Sequence, residues 1–342
     1  MPPFMGFFER KIVLTIVLLI IIILLIPFCI ALCNPKAAAE VKEDDLTKIE
    51  TGKKRTVNVY VVKDKKLVTL DLEEYVLRVT AGEMPATYDL EALKAQACAA
   101  RTFTVRRMVG GGCGKVKGAD ICTDSGHCQA YKSPEDMKKN WGAEYLTKYE
   151  KVKQAVEETS GKVIVYKGEL ITALYHSTSG GYTENSEDVF VSAKPYLRSV
   201  KSEGEEPYAA RFHGEVALSN KDFASKLNAF SKDIDVSSSA VEKSITNIKR
   251  SETGRVLTLQ VDGKKLTGRD IRKIFGLNST NFKISYQDNK VIFDTIGFGH
   301  GVGLSQTGAN AMAKKGSKYS EIIKHYYTGV QIVDMDKVLK SD

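Results

Sequence analysis

Hydrophobic positions along this chain follow two regimes. From Ile12 to Cys33 they run almost unbroken, as IVLTIVLLIIIILLIPFCIALC, 22 residues without a charge. At about 1.5 Å rise per residue, such a run matches a bilayer hydrocarbon core of about 30 Å. It predicts a transmembrane helix at 12–33. Arg10 and Lys11 precede it, so the positive-inside rule places residues 1–11 in the cytoplasm and the rest of the chain outside. A cleavable secretory signal processed near Ala37-Ala38-Ala39 is the rival reading. The run is longer than the roughly 7–15 apolar residues of such a signal, which favours an uncleaved anchor. Residues 34–54, small and charged, predict a linker.

From Arg55 onward the pattern becomes periodic. VNVYVV and the stretch after the lysine-rich turn alternate as β-strands, and a helix start is predicted at Asp71–Glu74. Between Leu90 and Met108, Leu93, Ala97, Ala100 and Thr104 recur at helical spacing and predict one apolar face. Lys94 and Arg101, seven residues apart, share another face with Cys98 between them and Glu91 one turn before. Taken alone, that is a solvated basic face. Residues 110–131 read as a loop rich in cysteine and glycine, and Glu144–Thr159 as a second helix. KVIVYKGELITALYHSTSGGYTEN reads as two strands across a Lys167-Gly168 turn. They deliver His176, Ser177, Ser179 and a glycine pair to a loop. Residues 205–287 are polar and read as supporting structure, with a hairpin signal in GRVLTLQVDGKKLTG. The C-terminal part carries GFGHGVGLSQTGANAMAKKG and then the helix-like YSEIIKHYYTGV. Short strands alternating with helices predict a single mixed α+β catalytic domain at 55–342, behind an N-terminal transmembrane helix.

Composition changes this picture little. Of 342 residues, 43% are hydrophobic and 27% charged, as in an ordinary globular protein, and the net charge of +8 favours anionic partners. No zinc-finger, helix-turn-helix or RNA-binding pattern is present, which argues against nucleic acid. The cysteines change it more. Cys29 and Cys33 fall in the apolar run, and Cys98 lies among helical alanines as a small buried residue. Cys113, Cys122 and Cys128 remain, an odd number that does not suit a simple disulfide framework. With His127 beside Cys128, they form a thiolate-imidazole set that suits zinc. A Cys122–Cys128 disulfide with Cys113 free is the alternative.

Three ordered segments resemble one family. They are AGEMPATYDLEALKAQACAARTF at 81–103, YHSTSGGYTEN at 175–185, and FGHGVGLSQTGANAMAKKGSKYSEIIKHYYTGV at 298–330. The family is stage II sporulation protein D, which also includes amidase-enhancer proteins. The resemblance implies a lytic transglycosylase that cuts peptidoglycan glycan strands lacking stem peptides and leaves 1,6-anhydro-N-acetylmuramic acid ends, during forespore engulfment in sporulation. It implies a partner amidase/endopeptidase and a multipass membrane protein of the engulfment machinery. With the apolar run, it implies a single-pass cell-membrane protein, its catalytic domain facing the septal or intermembrane space from the mother-cell membrane.

Residue by residue, the resemblance makes Glu83 the acid/base catalyst. It gives Lys94 and Arg101 the free lactyl carboxylates of N-acetylmuramic acid, and His176, Ser177, Ser179, His300 and Gln306 the walls of the substrate groove. Some family members hold zinc through a histidine six residues before the first of two cysteines. Here that position is Val116, so Cys113 or His127 must supply the missing ligand to a structural Zn2+. Two other readings compete with cleavage: a non-catalytic, peptidoglycan-binding enhancer of a partner amidase, and a zinc amidase, which the absence of an HExxH motif weakens. His176, Ser177 and Ser179 with Asp188 suggest a serine hydrolase, but the G-x-S-x-G elbow is missing.

Overall fold

A computed structural model describes residues 55–339. Strands β1 (Thr56–Val61) and β2 (Lys66–Asp71) pair antiparallel from Thr56↔Asp71 to Val61↔Lys66, and their alternation turns Val57 and Val59 into the core. Asp71 ends the strand and caps α1 (Leu72–Glu83) by accepting from the Glu73 and Glu74 amides. Pro85 disfavours helical backbone at the residue before it, so Met84 is extended and Glu83 becomes the last helical residue.

Helix α2 (Leu90–Val109), capped by Asp89, is buried on nearly every side rather than along one face. Its alanines let neighbouring elements approach from several directions at once. The cysteine loop follows, with β3 (Ile121–Cys122) parallel to β1, and then α3 (Pro134–Trp141) and α4 (Tyr145–Glu157). The predicted hairpin across Lys167-Gly168 is β4 (Lys162–Tyr166) with β5 (Glu169–Leu170). Two short strands come next, β6 (Tyr175–His176) and β7 (Gly181–Tyr182), the latter paired with β8 (Lys201–Ser202).

The stretch expected to be mere support is a lobe with its own core. It contains β9 (His213–Ser219), α5 (Asn220–Phe230), β10 (Ile245–Arg250), β11 (Val256–Val261), β12 (Lys264–Thr267), α6 (Gly268–Phe275), β13 (Phe282–Gln287) and β14 (Lys290–Ile296). Two three-stranded sheets, β10-β11-β12 and β13-β14-β9, enclose stacked Phe223 and Phe275, with the Phe275 and Phe293 ring centres 4.8 Å apart. The lobe enters and leaves at one point, where the Gly297 amide donates to the Phe212 carbonyl at 2.7 Å.

After it, β15 (Leu304–Ser305) runs parallel to β6, Leu304 beside Tyr175 and Ser305 beside His176. Helices α7 (Gln306–Lys314) and α8 (Tyr319–Tyr326) pack on α2, and β16 (Gln331–Asp334) pairs antiparallel with β4, making the separate sheet β16-β4-β5. The fold is mixed α+β, as expected.

The expected cytoplasmic segment at 1–11, anchor at 12–33 and linker at 34–54 all lie outside the described residues. The single-pass membrane localisation is corrected on what is described: none of these helices is long and apolar enough to cross a membrane. The longest, α2, spans 20 residues but carries Glu91, Lys94, Arg101, Arg106 and Arg107.

Candidate active site

Glu83 sits where α1 ends, and its carboxylate meets three elements distant in sequence. A Cβ on Gly82 would lie 2.8 Å from the Tyr131 nitrogen, so only glycine there lets residues 130–131 come close. The approach allows the Ala130 amide to donate to Glu83 Oε1 at 2.5 Å. Tyr175 donates its hydroxyl to the same oxygen and Gln306 its amide to Oε2, each at 3.4 Å. Burial pushes the Glu83 pKa up, and the three hydrogen bonds only partly offset it. Among the described residues no second carboxylate bonds to it.

Around this acid the polar side chains are held in place. Tyr175, whose phenol burial keeps protonated, also accepts from Gln129 Nε2 at 2.8 Å. Gln306 reaches Gln96 Oε1 at 3.3 Å.

The two histidines stand behind the site. His176 Nδ1 donates to the Val302 carbonyl at 3.2 Å, leaving Nε2 to accept from the Ser179 hydroxyl at 2.9 Å. Burial pushes its pKa well down, so the ring is neutral. His300 lies 5.5 Å away, ring centre to ring centre, and accepts from the Val302 amide. Burial and nearby arginines push its pKa down to about 4. A serine-hydrolase triad needs a carboxylate on the histidine's second nitrogen. Here that nitrogen faces a backbone carbonyl. Ser177, half-buried, pairs with Thr178 at 3.3 Å, and its carbonyl accepts from the Thr307 amide.

Glu205 ties these loops together, and nothing in the polar run around it marks it in the sequence. Its buried carboxylate accepts from the Gly180 amide at 2.8 Å, Ser202 Oγ at 2.6 Å, Ser305 Oγ at 2.5 Å and the Ser179 amide at 3.3 Å. Ser305 caps α7, the helix that carries Gln306. Glu205→Gln keeps one acceptor oxygen but puts an NH2 where the other faces a donor, either the Gly180 amide or the Ser179, Ser202 and Ser305 group. It is expected to destabilise the chain by about 1–3 kcal/mol, read as a lower denaturant midpoint at unchanged slope. An unchanged midpoint would show that Glu205 does not hold the loops.

Lys94 and Arg101, expected to bind muramyl carboxylates, do not come together with Glu83: the structure places both in ion pairs within the packing of α2. Arg101 is 0% exposed and grips Glu73 through Nε at 2.8 and 3.0 Å and through Nη2, while Nη1 donates to the Lys162 carbonyl. Lys94, 8% exposed, is paired with Glu91 at 2.8 Å and with Glu158. Both cations are committed to packing α2.

The cysteine loop folds into a compact donor set. The Cys113, Cys122 and Cys128 sulfurs and a His127 ring nitrogen lie within 4.8 Å of one another. His127 Nδ1 is 3.6, 3.5 and 3.2 Å from the three sulfurs in that order, and Cys113 and Cys128 are 3.9 Å apart. Tetrahedral zinc, with Zn–S about 2.3 Å and Zn–N about 2.0 Å, sets S···S near about 3.8 Å and S···N near about 3.5 Å. The thiols are free rather than bonded to each other.

Residues 62–166, which include Glu83 and this loop, match the family described as Stage II sporulation protein. The chain is 43% identical over 284 residues to stage II sporulation protein D of Bacillus subtilis (strain 168), covering 83% of this chain and 80% of that one. It belongs to the stage II sporulation protein D family. The Bacillus amyloliquefaciens protein of the same name is 40% identical over the same shares. The amidase enhancer of Bacillus subtilis (strain 168) is more distant, 29% identical over 74% of this chain and 39% of its own length. Residues 190–303, which contain the inserted lobe, match a domain of unknown function (DUF8618).

Val116 packs against the buried cluster of Cys113, Ala119 and Cys122 as a hydrophobic residue, and the donors that come together are Cys113, Cys122, His127 and Cys128.

Proposed function

We propose that this chain cuts peptidoglycan glycan strands as a lytic transglycosylase. It acts on strands lacking stem peptides and leaves 1,6-anhydro-N-acetylmuramic acid ends during forespore engulfment. One observation carries the reading: Glu83 is a desolvated carboxylic acid that, among the described residues, has no carboxylate partner. A hydrolase that activates water or forms a glycosyl-enzyme uses two carboxylates. A transglycosylase can use one. Protonated Glu83 donates to the glycosidic oxygen as the C1–O bond breaks. The carboxylate then takes the proton of the same sugar's C6 hydroxyl, whose oxygen bonds to C1. No water is consumed, and the proton returns to Glu83. Tyr175 and Gln306 orient the carboxylate through both steps. The decisive measurement is the mass of the released ends, because an anhydro end lacks the water that hydrolysis adds. Reducing ends would sink the proposal.

The relative named amidase enhancer supports a second reading, a glycan-binding stimulator of a partner amidase. That reading requires stimulation with no cut strands. On the first, a partner amidase/endopeptidase strips the peptides to make this enzyme's substrate, beside a multipass membrane protein of the engulfment machinery.

The donor set fits zinc, with Cys113, Cys122, Cys128 and His127 holding it. A closed site of four protein ligands leaves no open position for substrate, so the metal would act by cross-linking the loop. Ala130, whose amide reaches Glu83, follows Cys128 by two residues. Elemental analysis of reduced protein is expected to find one zinc per chain, and Cys122→Ser to lower that content sharply. Metal-free protein with a Cys122–Cys128 disulfide would overturn the assignment.

A further inference from the structure

Helix α6 presents Arg269, Arg272 and Lys273 at i, i+3 and i+4, so three cations crowd one face where like charges repel. Their packing does not explain them. Arg272 is half-buried, yet among the described residues its guanidinium finds only a backbone partner, Nε donating to the Leu277 carbonyl at 3.1 Å. Arg269 donates to the Val189 carbonyl at 3.0 Å and lies over the Phe190 ring. Among the described residues, neither forms an ion pair with a carboxylate. Burial and the neighbouring Arg269 both push the Arg272 pKa down, with no acid to offset them.

All three cations line a cavity of about 570 Å³ between the inserted lobe and the loop that carries His300. Ligand sites favour such junctions. Arg255 lines it too, but is committed to structure: it faces Glu184 at 3.6 Å and donates to the Ser179 carbonyl at 2.9 Å. The remaining acids are Asp188 and Asp270, the latter turned to the cap of its own helix.

We infer that this cleft is a binding site for a carboxylate-bearing saccharide, with Arg272 and Arg269 taking the carboxylate. Guanidinium forks match a planar carboxylate in two parallel bonds. The choice of an acidic sugar over a polyphosphate follows from the mixed lining. Four cations facing three acids leave one net positive charge when all are ionised. That suits a unit with a single negative group, whereas a polymer with a phosphate in every repeat meets the acids. Sugar hydroxyls instead have Asp188 and the Thr280 hydroxyl as partners, and Leu257 offers apolar contact to a ring face. The inference rests on the proposed glycan substrate, whose stripped strands carry free lactyl carboxylates.

The experiment titrates the full chain with stripped glycan strands and with chitin oligomers of equal length, which lack the lactyl group. Arg269→Gln with Arg272→Gln is expected to weaken strand binding about tenfold or more and to leave chitin binding unchanged. Lys221→Gln with Lys226→Gln, which removes the same charge from α5, is expected to change neither. If the double variant unfolds, exposed Arg269→Gln alone is expected to give a smaller loss of the same kind. Unchanged strand affinity would overturn the site, and so would an equal loss on chitin. A glycerol-phosphate oligomer that displaces strands from the parent but not from the variant would overturn the ligand class. Anhydro ends made with unaltered affinity would sink only this cleft. Carboxylate-dependent binding without anhydro ends would sink only the lytic reading.

Discussion

Glu83→Gln is expected to lower strand cleavage by about 10²–10⁴-fold or more while strand binding survives. Glutamine keeps the shape of the side chain and an acceptor oxygen for the Ala130 amide and the Tyr175 hydroxyl. It removes the proton that the glycosidic oxygen needs in order to leave. The surroundings supply no substitute: the buried histidines are neutral, and His176 bonds Val302 and Ser179 rather than the acid's pocket.

The same burial fixes the pH behaviour. The Glu83 pKa is raised in the folded chain, so the donor form persists above the usual carboxylate range. Cleavage is expected to decline as pH rises through that value. The folded chain also holds this proton more tightly than the unfolded chain, so the group's stability contribution falls across the same window. Glu83→Gln is therefore expected to unfold no earlier than the parent at neutral pH, which separates lost chemistry from lost structure. Near-normal cleavage by the glutamine chain would remove Glu83 as the acid.

Arg101→Ala is expected to destabilise the chain by about 3–5 kcal/mol, because removing one partner of a buried pair leaves the other charged and unpaired. Glu73 is that partner, 5% exposed and bonded besides only to the Gly161 amide at 3.1 Å. For a domain of this size the loss corresponds to roughly 6–20 °C in melting midpoint. Replacing both partners, as Glu73→Leu with Arg101→Met, is expected to cost less than the single change, since no orphan charge remains. Salt dependence of strand binding is expected to survive wherever enough Arg101→Ala chain folds. Loss of that dependence without loss of stability would return Arg101 to the substrate.

Much of the fold was legible where one face decides the pattern. The β1–β2 alternation, the Asp71 cap and the Lys167-Gly168 turn are local signals, and the structure places them where the sequence does. Helix α2 misled because its alanines read as a weak face, whereas the helix is enclosed by several partners. The shared face of Lys94 and Arg101 is real, but helical spacing does not say whether a face looks at water or at Glu73 and Glu158. The lobe at 213–296 was missed for the same reason: its aromatic core is scattered over four elements, each half polar. At the site, Glu83 and Gln306 were legible from their motifs, and the structure brings them together. Tyr175 opens one of those motifs and Gln96 lies inside another, yet only the tertiary contact at Glu83 singles them out. Glu205 carries no local signal, being one acid among several in a polar stretch.

The bond between Phe212 and Gly297 brings the two ends of the inserted lobe together. Since its ends already meet, joining them directly would impose almost no further loop-closure entropy on the host. Arg255 still ties the lobe to the host through Glu184 and the Ser179 carbonyl, so it is the strands away from that face that can lengthen or shrink without shifting the register by which β15 meets β6. Catalytic acid and cationic cleft thus sit in parts of the chain free to diverge at different rates, the first held by the host and the second built largely from the guest.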